Sequence, residues 1–313
     1  MSTRIEVDDL GLVYGSTRAL DGLSFTIDGP GIYGLLGRNG SGKTSLLSVL
    51  AGFRKATEGR VRLDGEPVFE NERNTQRICL IRETGDTVDH DWPEDKVRHA
   101  LDFAARTRPY WDESYAARLV DLFRLPLRTS VTALSRGQRA GLAVILGLAS
   151  RAPVTLFDEA YLGLDAPSRY AFYDELLADF MSHPRTVVVS THLIEEVSRL
   201  FEQVLIIDHG RLLLHEDVEA MRARGASITG PAEEVDRLVT GLPVLSEQRL
   251  GRTKSVTVFG ELGEQHREAA RQRDLELGPV SLQDLFVHLT TGGAEQPGPL
   301  PGLGQQPRHG GDA

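Results

Sequence analysis

Residues 37–44 read Gly37-Arg38-Asn39-Gly40-Ser41-Gly42-Lys43-Thr44 and match the phosphate-loop pattern GxxxxGK[ST] at every fixed position. The apolar run at 32–36 before them predicts a buried strand, and residues 43–51 after them predict a helix. Such a loop directs backbone N–H groups and a helix N-terminus toward a di- or triphosphate. Lys43 is expected to reach the β- and γ-phosphate oxygens, and the Thr44 hydroxyl to reach Mg²⁺. The segment therefore predicts a nucleotide site.

Composition limits the kind of nucleotide protein that this chain can be. Its 313 residues and 40% hydrophobic content suffice for one large domain and a small one. The net charge of −10 disfavours a nucleic-acid partner. A single cysteine, Cys79, excludes an internal disulfide and fits a reducing compartment. Glu6, Asp8 and Asp9 interrupt the start, so we expect no signal peptide, and no stretch approaches the roughly 18 apolar residues of a membrane span. We expect a cytoplasmic protein whose membrane role, if any, comes through a partner.

Strand and helix signals alternate along the chain after the loop. Short apolar runs rich in β-branched residues are typical of strands buried on both faces, and they occupy residues 78–81, 154–157, 186–189 and 204–207. Alternating patterns predict further strands at 23–27 and 61–63. Helical spacing replaces the strands between about residues 93 and 150. The pattern predicts an α/β fold with a mixed, partly parallel sheet flanked by helices and interrupted by a helical insertion.

The predicted domains follow from shifts in pattern and composition. We expect a nucleotide-binding domain over 1–221, with a helical subdomain over about 85–150, and a small α+β domain over 222–291. A helix at 281–289 closes that small domain, with its apolar residues on one face. Residues 292–313 are rich in Gly, Pro and Gln and lack apolar periodicity, which predicts a disordered tail.

Two further motifs carry chemistry. The strand at 154–157 ends in Asp158 and Glu159, and successive side chains at a strand end point in different directions. Asp158 can therefore hold Mg²⁺ while Glu159 polarises a water for attack on the γ-phosphate. Upstream, Ser135 and Gly137 open a predicted helix, where backbone N–H groups form an anion site. An ordinary helix N-cap is the alternative interpretation of Ser135.

The order of these motifs resembles the nucleotide-binding subunit of an ABC transporter. The phosphate loop is followed by Leu-Ser-Arg-Gly-Gln at 134–138, Asp-Glu at 158–159, Gly-Leu-Asp at 163–165 and Ser-Thr-His at 190–192. The match covers about residues 5–214. The resemblance implies a P-loop NTPase core that binds ATP and Mg²⁺ and hydrolyses ATP. It also implies a head-to-tail homodimer or heterodimer of such domains, and an integral membrane permease that holds the chain on the cytoplasmic face of the membrane.

The resemblance assigns roles position by position. Ser135, Gly137 and Gln138 match the signature that contacts the γ-phosphate bound on the opposite subunit. Asp165 matches the aspartate that communicates across the dimer, and His192 matches the switch histidine beside the γ-phosphate. The expected catalytic residues are Glu159, His192 and Lys43, and the expected metal ligands are Thr44, Glu83 and Asp158. The expected cofactor-binding residues are Tyr14, Gly37, Arg38, Asn39, Gly40, Ser41, Gly42, Lys43, Thr44, Ser45, Ser135, Gly137, Gln138 and Asp165.

Some of these positions depart from the pattern or allow two interpretations. Tyr14 matches the aromatic residue that stacks on adenine, and a half-buried edge-strand tyrosine is the alternative. Arg136 stands where the signature has a glycine, and residues 160–162 read Ala-Tyr-Leu where Pro-Thr-Ser is commoner. Glu83 replaces the usual glutamine that touches Mg²⁺ and the attacking water. A carboxylate can ligate Mg²⁺ at least as well as an amide, but it adds negative charge beside a triphosphate.

Three hypotheses about function follow. We favour an ATP-hydrolysing subunit that drives export, because residues 281–286 are similar to the closing segment of ATPase subunits of drug, antibiotic or polysaccharide exporters. Its membrane partner would dock near residues 83–97, which include Trp92 and Val97. The alternative is a soluble ABC-type ATPase acting on ribosomes or DNA, which usually has two nucleotide domains or a long coiled coil. A regulatory subunit without turnover is disfavoured by the presence of Lys43, Glu159 and His192.

Overall fold

The computed structural model describes residues 3–82, 96–223, 225–260 and 262–291. Three predictions fall outside these residues: the metal ligand Glu83, the docking residue Trp92 and the disordered tail at 292–313. They stay predictions. Only the part of the helical subdomain from residue 96 onward is described.

The nucleotide-binding part alternates strands and helices, as the sequence predicts. Its first elements are β1 (Arg4–Tyr14), β2 (Thr17–Asp28), β3 (Gly31–Leu36), α1 (Lys43–Leu50), β4 (Glu58–Leu63), β5 (Glu66–Pro67), α2 (Glu72–Thr75) and β6 (Ile78–Arg82). The insertion comprises α3 (Val97–Thr107), α4 (Glu113–Leu122) and α5 (Arg136–Ala149), with a 3-10 turn at Val131–Ala133. Next come β7 (Val154–Asp158), α6 (Ala166–Ser182), β8 (Thr186–Thr191), α7 (Ile194–Val197), β9 (Gln203–Asp208), β10 (Arg211–Asp217) and α8 (Val218–Ala223).

The C-terminal part is a smaller α+β unit. It comprises β11 (Gly225–Pro231), α9 (Ala232–Leu238), β12 (Val244–Leu250), β13 (Thr253–Phe259), α10 (Glu264–Gln272), β14 (Glu276–Pro279) and α11 (Leu282–Thr291). Its four strands form an antiparallel sheet in the order β12-β13-β11-β14. Ile228, Val256 and Val258 form its own core with α9 and α10 on one face of that sheet.

The central sheet has six strands in the order β10-β9-β3-β8-β7-β6. All pairs are parallel except β10 with β9. This confirms the mixed, partly parallel sheet that the apolar runs predict. The carboxyl ends of parallel strands lie at one edge, so the segments after β3, β7 and β8 meet there. These are the three segments that carry the phosphate loop, the Asp-Glu pair and the Ser-Thr-His motif.

Two apolar cores hold the central sheet. On one face, α1 packs under a second, antiparallel sheet of order β2-β1-β4-β5, and its Leu46 and Leu47 are buried. On the other face, α5 and α6 cover the sheet, and the rings of Phe157 and Phe172 pack edge to face at 5.2 Å. Burial on both faces explains why β3, β7 and β8 lack polar alternation.

The closing helix α11 packs against the nucleotide-binding part. Its residues Leu282, Leu285 and Phe286 are buried in the same apolar cluster as Ile194 and Val197 of α7. The predicted apolar face of this helix is thus the face that it buries. Among the described helices, none is both long and apolar enough to cross a membrane.

Candidate nucleotide site

The phosphate loop wraps the start of α1. Gly42 is the N-cap residue of α1 and has φ = 108°, a left-handed conformation that glycine adopts without strain. A Cβ at this position would lie 2.8 Å from the carbonyl oxygen of Ala19. No side chain of the described residues caps the first turn of α1. The first amides of α1 are therefore open to a ligand, as anion binding requires.

Lys43 is held inside the loop. Its side chain is buried, and Nζ donates to the carbonyl oxygens of Gly37 at 2.8 Å and Arg38 at 3.3 Å. Nζ also lies 3.3 Å from Oε1 of Glu159. Buried charges require such partners, because desolvation penalises an isolated ammonium group. The buried Ser41 hydroxyl, in contrast, has no hydrogen-bond partner among the residues that the structure describes.

The end of β7 places the two carboxylates on different sides. Ser190 on β8 donates its hydroxyl to Oδ1 of Asp158 at 2.8 Å and accepts the backbone N–H of Glu159 at 3.1 Å. Glu159 has φ = 52°, which is uncommon for a residue with a side chain and is typical of functional sites. This turn separates Glu159 from Asp158, as the sequence predicts for adjacent residues at a strand end.

His192 completes a three-residue cluster. Its Nδ1 lies 3.2 Å from Oε1 of Glu159, the same oxygen that faces Lys43. The three residues come from α1, the end of β7 and the end of β8, so only the fold brings them together. The cluster contains a fixed cation, a carboxylate and an imidazole that can donate or accept a proton.

Thr44 and Asp158 supply oxygen ligands suited to Mg²⁺. Burial raises the pKa of the Asp158 carboxyl above its usual value, and hydrogen bonds from the Ser190 and Thr44 hydroxyls lower it in part. A buried carboxylate of this kind favours a neighbouring cation. The described residues contain no group of three or more carboxylate, histidine or cysteine side chains that could hold a metal. One carboxylate and one hydroxyl fit Mg²⁺ that arrives with nucleotide phosphates, the usual mode for this ion. Glu83 stays a predicted ligand.

The loop lines a cleft of about 580 Å³. Sequence reasoning missed part of its rim: Thr17, Arg18, His209 and Gly210. The amide of Gly210 donates to the carbonyl oxygen of Ser41 at 2.9 Å, so the β9–β10 turn supports the phosphate loop. The sequence could have identified the β9–β10 turn by its position, because it follows the buried strand β9 and so lies at the same edge of the sheet as the phosphate loop.

Tyr14 lies at the end of β1, paired across the hairpin with Thr17 of the cleft rim. Its side chain is 41% exposed, and the Arg54 guanidinium lies 5.7 Å from its ring centroid. The structure places the ring beside the cleft and does not place it among the residues that line it. Its contact with adenine stays a prediction.

The signature lies in a second cleft. Ser135 is the N-cap of α5, where its hydroxyl accepts from the Gln138 amide at 3.2 Å and the Gln138 side chain accepts from the Ser135 amide at 3.0 Å. Gly137 and Asp165 line the same cleft, and Asp165 caps α6 by accepting from the Ser168 amide at 3.0 Å. Hydrogen bonding by the Ser168 hydroxyl and then by the Ser168 amide lowers the pKa of the Asp165 carboxyl. The cleft shares no lining residue with the phosphate-loop cleft.

Packing explains the Ala-Tyr-Leu sequence at 160–162, which differs from the commoner Pro-Thr-Ser. Tyr161 is fully buried, and its ring stacks on Phe172 at 5.5 Å and packs edge to face on Tyr173 at 5.5 Å. Its hydroxyl donates to the carbonyl oxygen of Ser190 at 3.5 Å. Tyr161 thus supports the strand ends that carry the carboxylates.

The sequence of this chain is similar to those of known proteins. Residues 20–162 match the family model described as ABC transporter. The chain is 25% identical over 286 residues to ABC transporter ATP-binding protein YtrB of Bacillus subtilis, covering 90% of this chain and 97% of YtrB. It is 29% identical over 301 residues to Nod factor export ATP-binding protein I of Paraburkholderia xenovorans, covering 91% and 96%. It is 32% identical over 228 residues to mycobactin import ATP-binding/permease protein IrtB of Mycolicibacterium thermoresistibile, and this match covers 71% of the chain but only 39% of IrtB.

Solved structures share the fold. An ATP-binding subunit of an ABC transporter superposes with a TM-score of 0.62 at 22% identity, covering 70% of this chain and 91% of that chain. A dimeric ATP-binding cassette bound to ADP and Pi superposes with a TM-score of 0.59 at 20% identity, covering 68% and 98%. At these identities the likeness establishes the fold of the nucleotide-binding part.

Proposed function

Because the chain belongs to the ABC transporter family as an ATP-binding subunit, we propose that it hydrolyses Mg-ATP to drive export through a separately encoded membrane permease. The observation that carries the proposal is the contact of Glu159 with both Lys43 and His192 beside the phosphate loop. A buried lysine, a carboxylate and an imidazole around a phosphate-binding loop are the groups that phosphoryl transfer to water requires.

The three side chains have separable roles in this proposal. Lys43 holds the β- and γ-phosphate oxygens, replacing part of its present contact with Glu159. Glu159 is then free to orient the attacking water and accept its proton, while His192 keeps Glu159 in place and donates to the γ-phosphate. Bound Mg²⁺, held by Thr44 and Asp158, would neutralise charge that develops on the phosphates.

The active unit in this proposal is a head-to-tail pair. The phosphate-loop cleft and the signature cleft are separate within one chain, so Ser135 and Gly137 would reach ATP bound on a second ATP-binding domain. Similar cassettes form dimers in solved structures, which supports this arrangement. Asp165, at the rim of the signature cleft, would lie at the interface of the pair.

Export is favoured by the extent of similarity. The chain aligns with nearly the whole of the Nod factor export protein, whereas it aligns with 39% of the mycobactin importer, which is named as a fused ATP-binding/permease protein. In this proposal the chain acts with a membrane partner at the cytoplasmic face. We place the docking site beside α3, whose Phe103 is exposed; Val97 is buried in the core and so is not available to a partner.

The test is hydrolysis and dimerisation of Glu159→Gln. Losing a general base or water-orienting group costs about 10²–10⁴ in rate. The variant should bind Mg-ATP, lose turnover and form an ATP-dependent dimer by light scattering. Glu264→Gln, at an exposed position on α10, is the matched control and should hydrolyse ATP normally. Near-normal turnover of Glu159→Gln would remove Glu159 from its assigned role.

A further inference from the structure

The sheet of the C-terminal part ends in β12, which packs against α11 and is exposed in its second half. In the described part of the chain, β12 has one strand neighbour, β13. Residues 247–250 are exposed in succession, and Leu250 is 87% exposed. An exposed strand edge presents N–H and C=O groups that can pair with another strand.

The register of the hairpin identifies the groups that face outward. The two-residue turn at 251–252 joins Leu250 to Thr253, which are opposite each other and form the hydrogen-bonded pair beside such a turn. Hydrogen-bonded and non-hydrogen-bonded pairs alternate along an antiparallel ladder. Glu247 and Arg249 therefore point their N–H and C=O groups away from β13, and they are the groups available to a further strand.

The charges on these two residues select one partner and one register. Three antiparallel self-pairings bring outward-facing residues opposite one another. One puts Glu247 opposite the partner's Glu247, and another puts Arg249 opposite the partner's Arg249; like charges directly opposite are destabilising. The third puts Glu247 opposite the partner's Arg249 and Arg249 opposite the partner's Glu247. We propose that β12 is a self-pairing edge, which joins the C-terminal sheets of two copies of this chain in this third register.

The neighbouring side chains favour the same arrangement. Within one chain, Arg249 is directly opposite Lys254, a like charge on the same face of the sheet. Lys254 is balanced by Asp236 at 2.7 Å and by Glu247 at 2.8 Å. The partner's Glu247 would bring a carboxylate to Arg249 as well. The exposed Leu250 would lie opposite the partner's Ser246, which covers part of its apolar surface.

This interface is additional to the head-to-tail pair of the proposed function and does not depend on ATP. An antiparallel pairing of identical strands has twofold symmetry, as a head-to-tail pair has. Contact between the C-terminal parts would raise the effective concentration of the nucleotide-binding parts for each other.

Cysteine crosslinking tests the register in the full chain without nucleotide. The twofold axis passes between Gln248 and the partner's Gln248, a non-hydrogen-bonded pair with Cα atoms about 4.5 Å apart, which a disulfide can span. Gln248→Cys should form a covalent dimer on mild oxidation, since Cys79 is buried. Gln272→Cys, on the exposed surface of α10, is the control and should form no covalent dimer. Equal crosslinking of the two variants would overturn the proposal.

Charge reversal tests the pairing by sedimentation equilibrium, again without nucleotide. Glu247→Arg places like charges opposite one another in both symmetric pairs and should lower the association constant about tenfold. Glu247→Arg combined with Arg249→Glu restores opposite charges and should recover association, while circular dichroism checks that each variant folds. Failure of the double variant to recover association overturns the register. A strictly monomeric wild type, with no Gln248→Cys crosslink, would mean that the edge serves another protein or none.

Discussion

The phosphate-loop cleft and the signature cleft each contain a helix N-terminus, but side chains cap only the N-terminus in the signature cleft. At α1 the N-cap is Gly42, and in the described structure no side chain satisfies the first amides. At α5 the hydroxyl of Ser135 and the side chain of Gln138 form a capping box that satisfies two backbone donors. The N-terminus of α1 is therefore a better anion site within one chain.

The two clefts also differ in their ionisable groups, which are more numerous around α1. Around α1, the buried Lys43 and the His192 ring both contact Glu159, and the buried Asp158 carboxyl contacts the Thr44 hydroxyl, so ionisable groups surround the phosphate loop. The cleft beside α5 contains small residues and one carboxylate, Asp165, which is already engaged as a helix cap. We therefore predict that the phosphate-loop cleft recruits the nucleotide and that the signature cleft only adds contacts to a nucleotide that is already bound.

Exchanging glycine for alanine in each cleft tests this comparison most strongly. Gly42→Ala forces a side chain into a left-handed conformation and against the Ala19 carbonyl oxygen 2.8 Å away. Backbone strain of this kind costs about 1–3 kcal/mol, so ATP affinity should fall roughly 5- to 150-fold. Gly137→Ala lies in the first turn of α5, where a Cβ would lie 3.4 Å from the Gly163 carbonyl oxygen. It should leave ATP binding by the isolated chain within about twofold, because alanine suits a helix.

Titration with a fluorescent ATP analogue measures both affinities at protein concentrations that keep the chain monomeric. A Gly137→Ala loss equal to that of Gly42→Ala would show that both clefts recruit nucleotide within one chain, and the comparison would then be wrong. ATPase activity adds a second readout. Gly137→Ala should lower it if the signature cleft acts on ATP in a second subunit.

The cap of α5 gives the next largest effect. Ser135→Ala removes the side-chain acceptor of the Gln138 amide and should destabilise the fold by about 1 kcal/mol, whereas Ser135→Gly should cost only a few tenths. Urea denaturation measures both. Equal, negligible losses would show that the capping box contributes little, and Ser135 would then be free to serve a ligand alone.

Much of this could be predicted from sequence, for a physical reason. Buried strands have continuous apolar runs, and the phosphate loop and the Asp-Glu pair are contiguous, so local pattern identifies β3, β6, β7, β8 and β9 and their ends. The contacts of Glu159 with Lys43 and His192 join distant segments, and only strand order brings them together. No local pattern reports that order. The burial of α11 against α7 is long-range in the same way, since the apolar face predicts burial but names no partner.

Asp158 offers a further test of the electrostatic difference between the two clefts. Burial raises the pKa of its carboxyl, so the folded state holds a proton more tightly than the unfolded state. Its contribution to stability is therefore present below the ordinary aspartate pKa and is lost as the pH rises through the raised value. The charged form of this carboxyl thus destabilises the nucleotide-free protein. Asp158→Asn should raise the melting temperature at pH 7 by roughly 2 °C and abolish the stabilisation by Mg-ATP.

Differential scanning fluorimetry with and without Mg-ATP checks both halves of this expectation. Asp165→Asn is the matched change in the signature cleft. The pKa of Asp165 is lowered by hydrogen bonding to the Ser168 hydroxyl and to the Ser168 amide, so removing the Asp165 charge should lower the melting temperature. Shifts of the same sign in the two variants would contradict the contrast between the clefts.

The smallest expected effect concerns the hairpin that supports the phosphate loop. His215 on β10 lies in contact with Gln203 at 3.1 Å, and its ring packs edge to face on Phe25 at 6.1 Å. Burial lowers its pKa below the ordinary value of 6.5, so the unfolded state takes up a proton more readily than the folded state. The stability that the neutral ring contributes is present above the ordinary pKa of 6.5 and is lost as the pH falls from 6.5 through the lowered pKa. His215→Phe should therefore lose less stability than wild type between pH 7.5 and pH 5.5.

His209→Gln, at the tip of the same hairpin with a side chain 94% exposed, is the control and should follow wild type. Melting curves at the two pH values measure the difference. Equal losses of stability in His215→Phe and wild type would show that His215 does not carry this pH dependence.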